Sequence, residues 1–192
     1  TSLVVEEDVT LYAIFKGNIG ANFKIKTKDG SIPATTENER VECEVYNNTK
    51  ECKVEVPTLN AKVGYEALGW SSEEYSKTAE LFGGEEMIIQ KDATYYSVTR
   101  SKTGKTATFN TIKDGEIYQE ILKCYPYNGE TSCTIDPSGV TSEEYKGKEF
   151  LGFTEDPNDL KPATDFELES GKEYYAYYKD KYTITYKTGR GE

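Results

Sequence analysis

Histidine is absent from the 192-residue chain, and methionine and tryptophan occur once each. Without histidine there is no histidine-based triad, no histidine-ligated zinc, and no side chain that ordinarily changes charge between about pH 5 and 8. No apolar run approaches the roughly 18–20 residues that a membrane-spanning helix needs, so direct membrane insertion is not expected. Bases are scarce as well, with 23 lysines and arginines against 34 acids and a net charge of -11. That balance argues against a nucleic-acid partner, whose affinity comes mainly from basic side chains releasing counterions. What is abundant is tyrosine, at 16 residues against seven phenylalanines.

The chain repeats itself. Asp8-Val-Thr-Leu-Tyr-Ala-Ile-Phe-Lys16 matches Asp92-Ala-Thr-Tyr-Tyr-Ser-Val-Thr-Arg100 and Gly171-Lys-Glu-Tyr-Tyr-Ala-Tyr-Tyr-Lys179, which superposes Tyr12, Tyr96 and Tyr175. Lys28-Asp-Gly30 with Lys113-Asp-Gly115, Leu68-Gly-Trp70 with Leu151-Gly-Phe153, and Cys43/Cys52 with Cys124/Cys133 keep a similar step of about 80 residues. The expected organisation is a closing strand of a preceding repeat over 1–17, repeat 1 over 18–101, repeat 2 over 102–181, and the opening strand of a following repeat over 182–192, as in a piece of a longer array. A permuted phase, in which the terminal strands belong to the two repeats themselves, is the alternative.

The pattern reads mostly as β. Tyr12 and Ile14, Tyr96 and Val98, and Tyr175 and Tyr177 fall on one face at period two, and this face is expected to be the core side. Ser72-Glu-Glu-Tyr75 and Ser142-Glu-Glu-Tyr145 look like helix starts, with a capping oxygen followed by acids.

The cysteines carry the sharpest local argument. Asn128-Gly129 is the strongest short-range signal for a two-residue type I′ turn, and Asn47-Asn48 is a weaker version. Counting outward from such a turn pairs Cys43 with Cys52 and Cys124 with Cys133 across a hairpin. Both pairs fall at non-hydrogen-bonded positions with Cα atoms ~4.5 Å apart, a separation a disulfide accepts. Four reduced thiols in a cytosolic protein, or four thiolates on one zinc, are the competing readings. Recurrence as matched close pairs favours disulfides and an oxidising, extracytoplasmic address.

Chemistry is sparse. Glu73/Glu74 and Glu143/Glu144 are adjacent acids whose side chains point apart, as on a solvated face. Asp156-Pro-Asn-Asp159 followed by Glu167 has part of a calcium-loop spacing but places Leu160 and Lys161 where an oxygen ligand and a glycine are required, so an Asp-Pro turn is expected. Asn47-Asn48-Thr49 satisfies the glycosylation triplet at a turn tip. No catalytic, cofactor-binding or metal-ligating residues are assigned, and no cofactor is expected. Tyr174, Tyr178, Tyr182 and Tyr186, near the carboxyl end, are the candidate binding residues, since aromatic platforms take up sugars and protein partners. Tyrosine used simply as a β-former with its ring packed and its hydroxyl wet is the other reading.

Gly64-Tyr-Glu-Ala-Leu-Gly-Trp70 and the tail Val9-Thr-Leu-Tyr-Ala-Ile-Phe-Lys16, with the strands from Phe23 to Gly30 and Phe109 to Gly115 that end in a glycine turn, resemble the Listeria-Bacteroides repeat, related to the internalin B-repeat of bacterial surface proteins. Phe153 replaces Trp70, and Gly147-Lys148 replaces Gly64-Tyr65, in the second copy. The resemblance implies an α+β, mostly β architecture: two tandem small β-grasp-like domains, each a sheet wrapping a short helix. It also implies a non-catalytic stalk, spacer or adhesin support on a Gram-positive-type cell surface. Neighbouring repeats of the same chain, and a host protein or a glycan, are the implied partners; direct binding through exposed tyrosines is the alternative function. Non-reducing peptide mapping is expected to join Cys43 to Cys52 and Cys124 to Cys133, and free thiols or crossed pairs would overturn that pairing.

Overall fold

The computed structural model describes residues 8, 10–27, 30–47, 49–182 and 184–185. The chain divides into two units, Thr1–Arg100 and Ser101–Glu192. The first contains β1 (Lys16–Lys24), β2 (Glu39–Tyr46), β3 (Cys52–Glu55), β4 (Tyr65–Ser71), β5 (Glu86–Ile89) and all but the last residue of β6 (Ala93–Ser101). The second contains β7 (Lys105–Lys113), β8 (Glu116–Cys124), β9 (Cys133–Thr134), β10 (Lys148–Thr154), β11 (Glu167–Leu168) and β12 (Lys172–Asp180). Each unit builds one four-stranded sheet, β2-β1-β6-β4 or β8-β7-β12-β10, and one two-stranded sheet, β3-β5 or β9-β11. In both, the opening strand pairs antiparallel with its neighbour and parallel with the closing strand.

Alternation along the opening strand explains the core. Ala21 and Phe23 in β1, and Ala107 and Phe109 in β7, face inward and are fully buried. Phe23 meets Trp70 edge to face at 5.0 Å between ring centroids, and Phe109 meets Phe153 the same way at 4.8 Å. On the other side Phe23 stacks on Tyr95 at 5.6 Å and Phe109 on Tyr174 at 5.0 Å. The short sheets close the core from the opposite side with Val54, Met87 and Ile89 in unit 1 and Leu168 in unit 2. The Leu-Gly-aromatic landmark has a steric reason. Gly69 and Gly152 have φ of 131° and 141°, and a Cβ on Gly69 would collide with the Leu81 carbonyl oxygen.

Several expectations are corrected. The expected face is only partly the core side: Val98 on it is fully buried, but Tyr95 and Tyr174, one residue before Tyr96 and Tyr175, carry the rings that stack on phenylalanine. No helix occurs among the described residues, so the helical part of the α+β expectation falls away. The serines expected to cap helices bond elsewhere. The Ser72 hydroxyl donates to the Glu80 carboxylate, as that of neighbouring Ser71 does, while Ser142 Oγ accepts the Ile112 N–H and bonds the Tyr178 hydroxyl. Tyr75 at φ 61° and Lys146 at φ 50° then turn the chain away from helical geometry. The described residues of the 1–17 segment before β1, residue 8 and residues 10–15, form no strand, and Tyr12 is 85% exposed. In both units the matching sequence forms a strand beside the opening strand of its own unit.

The hairpin expectation is half right. The turn at Asn128-Gly129 forms, with φ of 50° and 75° and Glu130 N–H donating to the Tyr127 carbonyl at 2.8 Å. The Tyr46–Thr49 turn closes in the same way at 2.9 Å, although Asn48 lies outside the described residues. No ladder follows either turn. β2 pairs with β1 along its length and β3 pairs with β5, so that Cys43 lies opposite Ile19 and Cys52 opposite Ile89. An extended hairpin would carry Val54 and Val56 out along the sheet edge, whereas leaving the sheet buries both.

Both disulfides form, Cys43 to Cys52 and Cys124 to Cys133, with Cα separations of 6.4 and 5.9 Å. Each joins an outer strand of the large sheet to the short sheet beneath it. Replacing Cys43 and Cys52 by alanine is expected to cost unit 1 about 2–3 kcal/mol, the closure entropy of so short a loop. Trp70 is the sole tryptophan and is buried in that core, so its fluorescence during denaturant unfolding reports the loss.

Candidate functional site

Among the four tyrosines proposed from sequence, the structure separates structural from available rings. Tyr174 is 0% exposed and belongs to the phenylalanine stack, so it is withdrawn as a binding residue. Burial pushes its phenol pKa up. Tyr178 is half-buried; its hydroxyl bonds Ser142 Oγ at 2.6 Å and its ring lies against Phe150 and Tyr145. Tyr182 is 86% exposed, and Tyr186 lies outside the described residues. Tyr175 and Tyr177 donate their hydroxyls to Glu173 and to the Leu160 carbonyl. The closing strand thus spends most of its tyrosines on packing and local hydrogen bonds.

Unit 2 carries an open apolar groove of about 400 Å³ walled by Pro137, Val140, Phe150, Phe153, Pro162 and Phe166. Phe150 and Phe153 sit on β10 beside the register shift at Gly152, and the other walls come from the irregular segments before and after that strand. Those walls come from three separate stretches of sequence, so no local motif announces the groove. Only the Phe150-Leu-Gly-Phe153 landmark marks one side of it. Nearby, Glu155, Asp165, Glu167, Glu169 and Lys172 line a polar depression of about 300 Å³, in which Lys172 is paired with Glu155 at 2.8 Å. That pairing raises the lysine pKa.

The resolved carboxylate shifts follow ion pairing and turn geometry. They are all downward. Lys16 and the Tyr46 hydroxyl hold Glu44 low, Ser72 holds Glu80 low, the backbone N–H of Gly20 and the Arg40 guanidinium hold Asp92 low, and the N–H of Ser138 holds Asp136 low. A general acid working near neutral pH needs the opposite direction. The Asp156–Asp159 stretch is a turn, closed by Asp159 N–H on the Asp156 carbonyl at 2.9 Å, with the Asp156 carboxylate accepting from Asn158. Among the described residues no three acidic, cysteine or histidine side chains group to hold a metal ion, and no helix is long and apolar enough to cross a membrane. Comparison with protein-family models, curated proteins and solved structures finds no match to this chain.

The downward shifts set a pH dependence. A carboxylate whose folded pKa lies below its unfolded value stabilises the fold fully above the unfolded value. The contribution disappears as pH falls through the unfolded value, about 4, toward the folded one. Glu44, Glu80 and Asp92 all lie in unit 1, whereas Asp136 lies in unit 2, where Gly171 stands in place of Asp92. Trp70 fluorescence is therefore expected to show unit 1 losing stability between pH 5 and 3, and Asp92→Asn is expected to flatten that slope. An unchanged slope in the variant would remove Asp92 from the account.

Proposed function

We propose that this chain is a non-catalytic, extracellular repeat module of a bacterial surface protein, serving as a stalk, spacer or support for an adhesin. The observation that carries the reading is the duplication itself. The same six-strand order, the same aromatic core and the same disulfide clamp recur in tandem. Duplicating a scaffold repeats a structural unit along the chain, whereas a catalytic centre needs one convergent set of groups. Disulfides fit an oxidising compartment. The parallel pairing of opening and closing strands at the middle of each sheet, flanked by antiparallel neighbours, supports a β-grasp-like reading in which irregular turns stand where a helix would lie.

A second reading, direct binding of a glycan or host protein, draws on the exposed Tyr182 ring and the apolar groove beside Phe150. Two measurements separate these readings. Limited proteolysis of intact cells is expected to release peptides of this chain with both disulfides oxidised; recovery only from the cytosol with free thiols would defeat the surface assignment. Immobilised chain is expected to give no saturable binding to glycans or matrix proteins. Saturable binding lost on Tyr182→Ala would move the conclusion to the second reading.

A further inference from the structure

The two units share a core but not an outer edge. β8 ends the sheet of unit 2, and among the described residues no strand pairs with its free side. It is nine residues long and pairs with β7 without a register shift, so no bulge interrupts the free edge. Its inward row includes Leu122 and Cys124, which pack against the core. Its outward row is Ile117, Gln119, Ile121 and Lys123, and Ile117 and Ile121 are 76% and 65% exposed. Ile112 on β7 lies beside Ile117, which lengthens the apolar stripe.

The other edges of the two large sheets carry the protections that keep edges apart. β2 occupies the place of β8 in unit 1, and its outward row is Arg40, Glu42 and Glu44. Arg40 bonds Asn22, Glu42 and Asp92, while Lys16 pairs with Glu44. The pairings Ala21–Val41 and Ala107–Leu122 make Arg40 the counterpart of Ile121. β10 is broken by the register shift between Phe150 and Gly152, and β4 is covered by the bridge from Trp70 to Leu81. Charges, bulges and covering segments are the usual means of blunting an edge, and β8 shows none of them at Ile117 and Ile121.

The sequence of β8 also matches itself. About Gln119 the outward row reads Ile117-x-Gln119-x-Ile121. A second copy laid antiparallel with Gln119 facing Gln119 places each Ile117 opposite an Ile121 on the same sheet face. It also brings Lys123 of each copy to the Asp114–Glu116 end of the other, a complementary pair of charges. We propose that β8 is a self-association edge through which two copies of this chain join their unit-2 sheets, antiparallel and centred on Gln119. The contact is one strand edge with four isoleucines, well below the size of a permanent interface, so the dimer is weak and concentration-dependent.

Sedimentation of the full chain up to about 1 mM, the range where a weak contact of this kind registers, is expected to show the mass rising from monomer toward dimer. Ile121→Arg gives unit 2 the residue that unit 1 carries, at an exposed site that folding does not depend on. It is expected to hold the chain monomeric, and Ile117→Lys is expected to do the same. Paired strands bring facing Cα atoms to about 4.5–5.5 Å, so Gln119→Cys is expected to form an intermolecular disulfide under mild oxidation. Glu116→Cys, which faces Leu122 in this register, is not. A monomer throughout the range overturns the proposal, as does a dimer that survives Ile121→Arg, or cross-linking equal at positions 116 and 119.

Discussion

A layer of two strands with two residues each, as in the β9-β11 pair, cannot persist on its own hydrogen bonds. Yet each unit needs such a layer, because the inner face of the large sheet would otherwise meet water. The disulfide resolves this conflict by tying an outer strand of the large sheet to the first strand of the short one. Two features follow from that link. The turn at Asn47 or Asn128 reverses the chain without opening a ladder, which frees β3 or β9 to leave the sheet plane. Leaving the plane then brings Val54, Val56 and Ile135 under the phenylalanine of the opening strand, where burial supplies the hydrophobic gain.

Much of this was legible in residue types and spacing. The repeat period showed in matched motifs about 80 residues apart, and the strand content, the turn at Asn128-Gly129 and the cysteine partners could be read locally, because each of these depends on residues close in sequence. The misreadings share one cause. A period-two strand offers two faces, and choosing the core face needs knowledge of what packs above it; Tyr95 and Tyr174 win because Phe23 and Phe109 lie beside them in the parallel register, more than sixty residues away. The hairpin ladder failed for the same reason. β2 takes its partner from β1, and the alternative hydrophobic layer that draws β3 away is completed by β5, which lies past the aromatic landmark. Ser142, a plausible cap by local rules, is claimed by Ile112 and Tyr178 from two other strands.

The comparison between units separates what the fold requires from what it tolerates. Phe23 and Phe109, Tyr95 and Tyr174, Gly69 and Gly152, and the four cysteines hold the same geometric roles in both copies. Trp70 and Phe153 show where the requirement relaxes. The indole N–H of Trp70 donates to the Pro57 carbonyl at 2.8 Å, bridging the landmark to the proline segment, whereas a phenylalanine ring has no donor for such a bridge. The groove of unit 2 lies beside that ring. Core positions are therefore fixed by packing to within an aromatic substitution, while the solvent face moves freely between charge, as at Arg40, and aliphatic surface, as at Ile121.

Such freedom bears on what a tandem module can do. A scaffold whose stability is set by an internal aromatic stack and a covalent clamp can change its outer rows without endangering the fold, since outward substitutions alter little buried area. The tyrosine excess divides along the same line. Tyr95 and Tyr174 are core components copied with each repeat, Tyr177 and Tyr178 tie the closing strand to neighbouring segments through their hydroxyls, and only rings such as Tyr182 remain for a partner. A count of tyrosines alone would overstate the binding surface. Specificity in such a module would reside in the outer face and edge of each copy, where the two units differ most.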